Sequence, residues 1–85
     1  MVINNIVIPV TKQQSIIMMY LLSAKVPVQL ETIGQYLFTK THRKVKLNSL
    51  RTAVIRLRRK IRNYTGIPVV QSRYGIGYWI DLDEF

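Results

Sequence analysis

The chain has 85 residues, of which 48% are hydrophobic, and a formal net charge of +9. This length fits one small domain over residues 1–85 with a single modest core, and the hydrophobic content argues against intrinsic disorder. The chain contains no cysteine and one histidine, which excludes disulfides and zinc–thiolate sites. Since it also offers no acid–base pair or nucleophile dyad, we expect neither an enzyme nor a cofactor or metal.

The hydropathy of the chain favours a cytoplasmic protein with no membrane partner. Its longest apolar run, residues 16–22, is too short to span a bilayer. No charged segment precedes a hydrophobic stretch at the start of the chain, so a signal peptide is not expected.

The N-terminal part predicts a strand followed by a helix. Residues 6–8 are apolar and β-branched, and Pro9 places them at a sheet edge or a strand end. Thr11 and Gln14 form the T-x-x-Q pattern of a capping box, which predicts a helix that opens at Thr11. Apolar residues occur nearly all round this helix. We therefore expect it to be central to the core, with the pair at residues 18 and 19 filling that core.

A second helix is expected over about residues 30–39, after Pro27 ends the first. Ile33 and Leu37 should point inward, together with Tyr36 or Phe38. Gly34 is unfavourable in a helix, and its presence suggests that another helix approaches closely there. The connector that follows is polar and basic.

The third helical pattern, residues 50–63, has two different faces. Its apolar stripe recurs at steps of three and four and consists of Leu50, Ala53, Val54, Leu57 and Ile61. Asn48 or Ser49 is the expected N-cap, and Gly66 is the expected stop. Ten of the thirteen lysines and arginines, and no acid, lie between residues 40 and 62. A helix with a dry face and an arginine face is suited to a polyanion.

The C-terminal part predicts a β-hairpin, with strands at residues 69–72 and 78–81. Two glycines in the turn between them can adopt positive φ. The predicted fold is therefore α+β, with three helices, a short N-terminal strand and a C-terminal hairpin wing. This is the winged helix-turn-helix arrangement.

Two segments resemble OmpR/PhoB-type winged-helix DNA-binding domains. Residues 54–61, VIRLRRKI, are similar to the recognition-helix motif, and residues 71–78, QSRYGIGY, are similar to the wing motif. The resemblance covers about residues 11–82. It implies a sequence-specific double-stranded DNA-binding protein, a small transcriptional regulator of the bacterial cytoplasm or nucleoid. The chain departs from the family in four ways. It has no room for a receiver domain, and the N-terminal sheet can be present only in reduced form. In the wing, Tyr74 stands where arginine is usual, and Trp79 stands where the family frequently has a basic residue.

The candidate DNA contacts are of two kinds, those to base edges and those to the phosphate backbone. Opposite the apolar stripe, the candidates for base contacts in the major groove are Arg51, Thr52, Ile55, Arg56 and Arg59. Arginine can bind O6 and N7 of guanine together, and threonine or isoleucine can meet a thymine methyl group. The candidates for DNA backbone contacts are Arg43, Lys44, Lys46, Arg58, Lys60 and Arg62. In the wing, residues 69–81, Arg73 and Tyr74 are candidates for the minor groove or the backbone.

Other partners remain open at this point. The basic face would also suit a protein–protein module that docks on RNA polymerase or another regulator, or a nonspecific architectural or RNA-binding protein. In the resembled family, the loop before the recognition helix can touch RNA polymerase, which here concerns residues 39–47. Family members often bind repeated half-sites, so a homo-oligomer or tandem binding on DNA is a further expectation.

Overall fold

A computed structural model describes residues 1–81. It contains three helices and two pairs of short antiparallel strands, which confirms the α+β class. In chain order, the elements are β1 (Val2–Ile3), β2 (Ile6–Val7), α1 (Lys12–Ala24), α2 (Leu30–Thr41), α3 (Leu47–Thr65), β3 (Val70–Arg73) and β4 (Gly77–Ile80).

The N-terminus forms a hairpin where the sequence predicted one strand. β1 and β2 pair antiparallel, with Val2 opposite Val7 and Ile3 opposite Ile6. The turn uses Asn4 and Asn5, whose φ values of 49° and 67° lie in the left-handed region. Asparagine tolerates that region better than most residues, and two such positions in succession suit a tight hairpin turn. The predicted strand at residues 6–8 is present as β2, over Ile6–Val7, but its partner β1 was missed because the turn signal at Asn4 and Asn5 was not used.

Helix α1 begins as predicted but is less central than expected. The backbone N–H of Gln14 donates to Oγ1 of Thr11 at 3.1 Å, and that of Thr11 donates to Oε1 of Gln14 at 3.0 Å, so the capping box is confirmed. Met18 is buried, but Met19 is 66% exposed. The expectation that both methionines fill the core was wrong, because the two side chains point about 100° apart round the helix.

Helices α2 and α3 approach closely at Gly34, as predicted. A Cβ atom at this position would lie 3.2 Å from Cδ2 of Leu50, so only glycine fits without displacing that side chain. α3 begins three residues before the predicted start, with Lys46 as its N-cap and no capping side chain, so the Asn48 or Ser49 cap was wrong. Gly66 ends α3 with φ of 72°, as predicted.

One cluster of apolar side chains forms the core. It draws on all three helices, both hairpins and Val28, and includes Leu50, Val54, Leu57 and Ile61 of α3, each 0% exposed. Burial of these four residues, with Ala53 half-buried beside them, fixes the rotation of α3 about its axis. The opposite face of α3 is therefore held toward solvent.

The C-terminal hairpin is tied to the segment before α2. β3 and β4 pair from Val70 opposite Ile80 to Arg73 opposite Gly77. The backbone N–H of Val28 donates to the carbonyl of Tyr78 at 2.8 Å, and the N–H of Tyr78 donates back at 2.9 Å. This bridge holds the hairpin beside the start of α2.

Candidate nucleic-acid interface

The solvent-facing side of α3 carries the residues predicted to contact bases. All five of them are exposed, namely Arg51, Thr52, Ile55, Arg56 and Arg59. Ile55 keeps 42% of its surface exposed although it is apolar. The predicted orientation of these side chains away from the core is confirmed.

The charge on α3 is of one sign. The helix contains six lysines and arginines and no aspartate or glutamate. Of the chain's four acidic residues, the described ones are Glu31, in the first turn of α2, and Asp81, after β4. The solvent-facing side of α3 therefore carries a local positive charge that no acidic residue of the helix offsets.

A first groove brings α3 together with the C-terminal hairpin. It has a volume of about 330 Å³ and is lined by Arg51, Arg73, Tyr74 and Glu31, among others. Tyr74 is fully exposed at the hairpin tip. Nε2 of Gln29 donates to the carbonyl of Ile76 at 3.2 Å, which steadies this tip against α2. The two predicted wing contacts thus lie next to the N-terminal end of α3.

A second groove, of about 340 Å³, runs along the C-terminal half of α3. It brings together Arg56 and Arg59, which were predicted base contacts, and Lys60, which was a predicted backbone contact. Asn63 and Tyr64 also line it and were not predicted. Their polar groups lie among three cations, an environment that suits phosphate oxygens.

Two of the predicted backbone contacts also make contacts within the protein. Nη1 of Arg58 donates to Oγ of Ser72 on β3 at 2.9 Å, and Nζ of Lys60 donates to Oε1 of Gln14 at 3.4 Å. Both cationic residues are half-buried. Arg58 therefore links α3 to the C-terminal hairpin, and Lys60 links it to the start of α1.

The remaining backbone candidates are exposed but spread apart. Arg43 lines a third groove, of about 540 Å³, with Lys12 and Lys40. Lys44 and Lys46 are exposed in the connector between α2 and α3, and Arg62 is exposed near the end of α3. The connector and the C-terminal end of α3 thus place cations at both ends of the helix.

Asn48 was not predicted as a contact, because it was the expected N-cap of α3. It lies about 160° round the helix from Leu50, in the middle of the arginine face. Its Oδ1 accepts from Nη1 of Arg51 at 3.3 Å, and its carbonyl accepts from Oγ1 of Thr52 at 3.0 Å. Extending the period of the apolar stripe by one turn would have identified it.

Comparisons with family models, curated proteins and solved structures found no match to this chain. Within residues 1–81, no helix is long and apolar enough to cross a membrane. The same residues contain no group of three or more histidine or acidic side chains placed to hold a metal ion.

Proposed function

We propose that this chain is a winged helix-turn-helix protein that binds double-stranded DNA in a sequence-specific way, as a small transcriptional regulator. One observation carries the proposal: α3 exposes a face of arginines, without acids, in which Thr52 and Ile55 are interspersed. Arginine alone would serve any polyanion. The threonine and the exposed isoleucine instead suit base edges, and thymine methyl groups in particular.

The N-terminal half of α3 is the proposed reader of sequence. A helix of 19 residues is about 28 Å long, whereas the major groove is about 12 Å wide, so only part of α3 can face the bases. Recognition helices use their N-terminal residues for base contacts. We therefore assign base contacts to Asn48, Arg51, Thr52, Ile55 and Arg56.

Phosphate contacts would then flank this reading segment. The connector cations Arg43, Lys44 and Lys46 serve one side, and Arg59 and Arg62 serve the other. Such contacts set the register of the protein on DNA and supply much of the affinity.

The C-terminal hairpin is the proposed wing. Arg73 and Tyr74 line the same groove as Arg51, so a duplex read by α3 would pass beside the hairpin tip. Arg73 suits a phosphate or the minor groove, and the exposed ring of Tyr74 suits a sugar or the backbone.

Selection of bound sequences from a random DNA pool tests the proposal. We expect the wild-type chain to enrich one motif and Arg56→Ala to lose preference at one or two positions of that motif. Lys25→Ala, which removes one charge far from α3 in the sequence, should leave the motif unchanged. Failure of the wild type to enrich any motif would refute sequence-specific binding.

A salt titration measures the backbone contacts separately. With about six phosphate contacts, the logarithm of the affinity should fall with the logarithm of salt concentration at a slope near −5. A flat response would remove phosphate contacts as the basis of binding.

A second candidate function is docking on an acidic surface of RNA polymerase or another regulator. The groove lined by Lys12, Lys40 and Arg43 favours it, because this groove is formed by α1, α2 and the connector and includes no residue of α3. Lys40→Glu would then abolish capture of such a protein and leave the selected DNA motif intact. Arg56→Ala would have the converse effect.

A further inference from the structure

Five apolar side chains are exposed on α1, on the N-terminal hairpin and just after α1. They are Val2 (64% exposed), Val7 (70%), Met19 (66%), Leu22 (40%) and Val26 (61%). We call them the α1–hairpin patch. Single exposed apolar residues are common on proteins, but connected groups of them mark binding surfaces.

The patch is continuous. Val2 and Val7 are opposite each other in the β1–β2 ladder, so their side chains lie on the same face of that hairpin. Val2, Met19 and Leu22 line one groove, of about 310 Å³. Leu22 and Val26 line a second, which also contains the half-buried Trp79. Leu22 therefore joins the two grooves into one surface.

The patch carries few charges for a chain of net charge +9: the α-amino group of Met1 lines one of its two grooves and Lys25 lines the other. Lys12 is the only charged side chain in residues 1–24. Lys25 lines the groove that contains Leu22 and Val26, and the described residues of the two grooves of the patch include no arginine. Ten of the thirteen cations lie instead in residues 40–62.

This distribution of charge indicates which molecule covers the α1–hairpin patch. Two copies of a chain of charge +9 repel each other over most of their surfaces, and the repulsion is weakest where the sparsely charged patches meet. A two-fold axis through the patch would bury the same five side chains from both copies. A nucleic acid or an acidic protein would gain less here than on α3, because the patch offers two cations, Lys25 and the α-amino group of Met1, whereas α3 carries six.

We propose that the α1–hairpin patch is a homodimer interface. The pairing would leave the arginine face of α3 uncovered on both subunits, so the dimer could present two reading helices to two half-sites. A stable interface commonly buries about 800 Å² per partner, roughly a seventh of the 5857 Å² surface of this chain. Since the patch is small and the chains repel, we expect micromolar affinity.

Sedimentation equilibrium of the full chain, without DNA, tests the interface. The wild type should pass from monomer to dimer as its concentration rises from about 1 μM to about 1 mM. Met19→Lys should raise the dimer dissociation constant at least about thirtyfold, because a symmetric interface buries the new charge twice. The matched control is Phe38→Lys, which adds the same charge at a 49% exposed apolar residue on α2 and should leave dimerisation unchanged.

The dependence of dimerisation on salt concentration is a second, independent test of the interface. Salt screens the repulsion between two basic subunits, so dimerisation should strengthen from about 50 mM to about 500 mM salt, whereas DNA binding should weaken. Circular dichroism checks that each variant is folded, and Val7→Lys replaces Met19→Lys if the latter unfolds.

A wild-type chain that stays monomeric throughout would overturn the proposal, whatever other molecule covers the patch. A dimer that Met19→Lys and Val7→Lys both leave intact would also overturn it. The sedimentation test contains no DNA, so a monomeric result would not contradict the proposed DNA binding. Equally, failure of the chain to enrich a DNA motif would not contradict the proposed dimer.

Discussion

Ile55 is the residue that most sharply separates sequence reading from electrostatic attraction. Its side chain is 42% exposed among arginines, and DNA contact would cover it. Ile55→Ala should lower affinity for the selected DNA site about tenfold, since it removes three carbon atoms from a contact with a thymine methyl. The free energy of unfolding should change by less than about 0.5 kcal/mol, since the site is exposed and alanine favours helix.

Fluorescence anisotropy with the selected and a scrambled duplex measures this effect. Phe38→Ala, at a 49% exposed site on α2 and outside the α1–hairpin patch, is the control and should leave DNA affinity unchanged. An equal loss of affinity for both duplexes would mean that Ile55 does not read sequence.

Position 77 requires glycine for two reasons, its backbone conformation and its close contact with Val28. Its φ is 127°, and a Cβ atom there would lie 2.5 Å from the carbonyl oxygen of Val28. Gly77→Ala should therefore destabilise the fold by about 3 kcal/mol, since it combines backbone strain with a clash against backbone. Gly75→Ala is the matched control: φ is 81°, but no atom lies within 4 Å, so the cost should be about 1 kcal/mol.

Urea denaturation of the two variants gives both costs directly. Equal losses of stability would mean that the contact with Val28 contributes nothing beyond the positive φ. The sequence indicated a turn at both glycines but could not distinguish them, because Val28 and Gly77 are 49 positions apart and meet only through the bridge between Val28 and Tyr78.

At the scale of elements, α3 and the C-terminal hairpin are linked by one side-chain hydrogen bond, from Arg58 to Ser72. We expect Arg58 to position the hairpin more than to neutralise phosphate. Ser72→Ala should then weaken DNA binding about threefold without changing the slope of affinity against salt, since no cation is removed. Arg62→Ala should instead reduce that slope by about 0.9, the effect of one phosphate contact.

The double variant of Arg58→Met and Ser72→Ala completes a thermodynamic cycle. If the hydrogen bond positions the hairpin, Ser72→Ala should add little to the loss caused by Arg58→Met. Fully additive losses, together with a reduced salt slope for Arg58→Met, would assign Arg58 to phosphate after all.

The sequence predicted elements best where the pattern is local. The capping box of Thr11 and Gln14 and the stop at Gly66 involve neighbouring residues only, and both were confirmed. The start of α3 was not predicted, because Lys46 carries no capping signal and its extended backbone, with ψ of 146°, follows from how the connector folds. The hydrogen bond from Arg58 to Ser72 required knowledge of the tertiary fold.

At the scale of the whole molecule, the side of α1 that is buried could not be predicted from its hydrophobic pattern. Residues 16–22 of this helix are all apolar and occupy every side of it, so the sequence does not indicate which side faces the core. The packing of α2, α3 and β4 against it leaves Met19 and Leu22 outside. The charge, by contrast, was readable from the sequence, because the basic residues are concentrated between residues 40 and 62.

That concentration of charge predicts how salt affects stability. Cations brought together by folding repel one another and destabilise the compact state, and salt screens this repulsion. The free energy of unfolding should therefore rise by about 1 kcal/mol between about 10 mM and about 200 mM sodium chloride. Because dimerisation would also stabilise the folded chain, the measurement belongs on the Met19→Lys variant at low micromolar concentration. A free energy of unfolding that falls as salt is added would mean that attractive ion pairs outweigh the repulsion within residues 40–62.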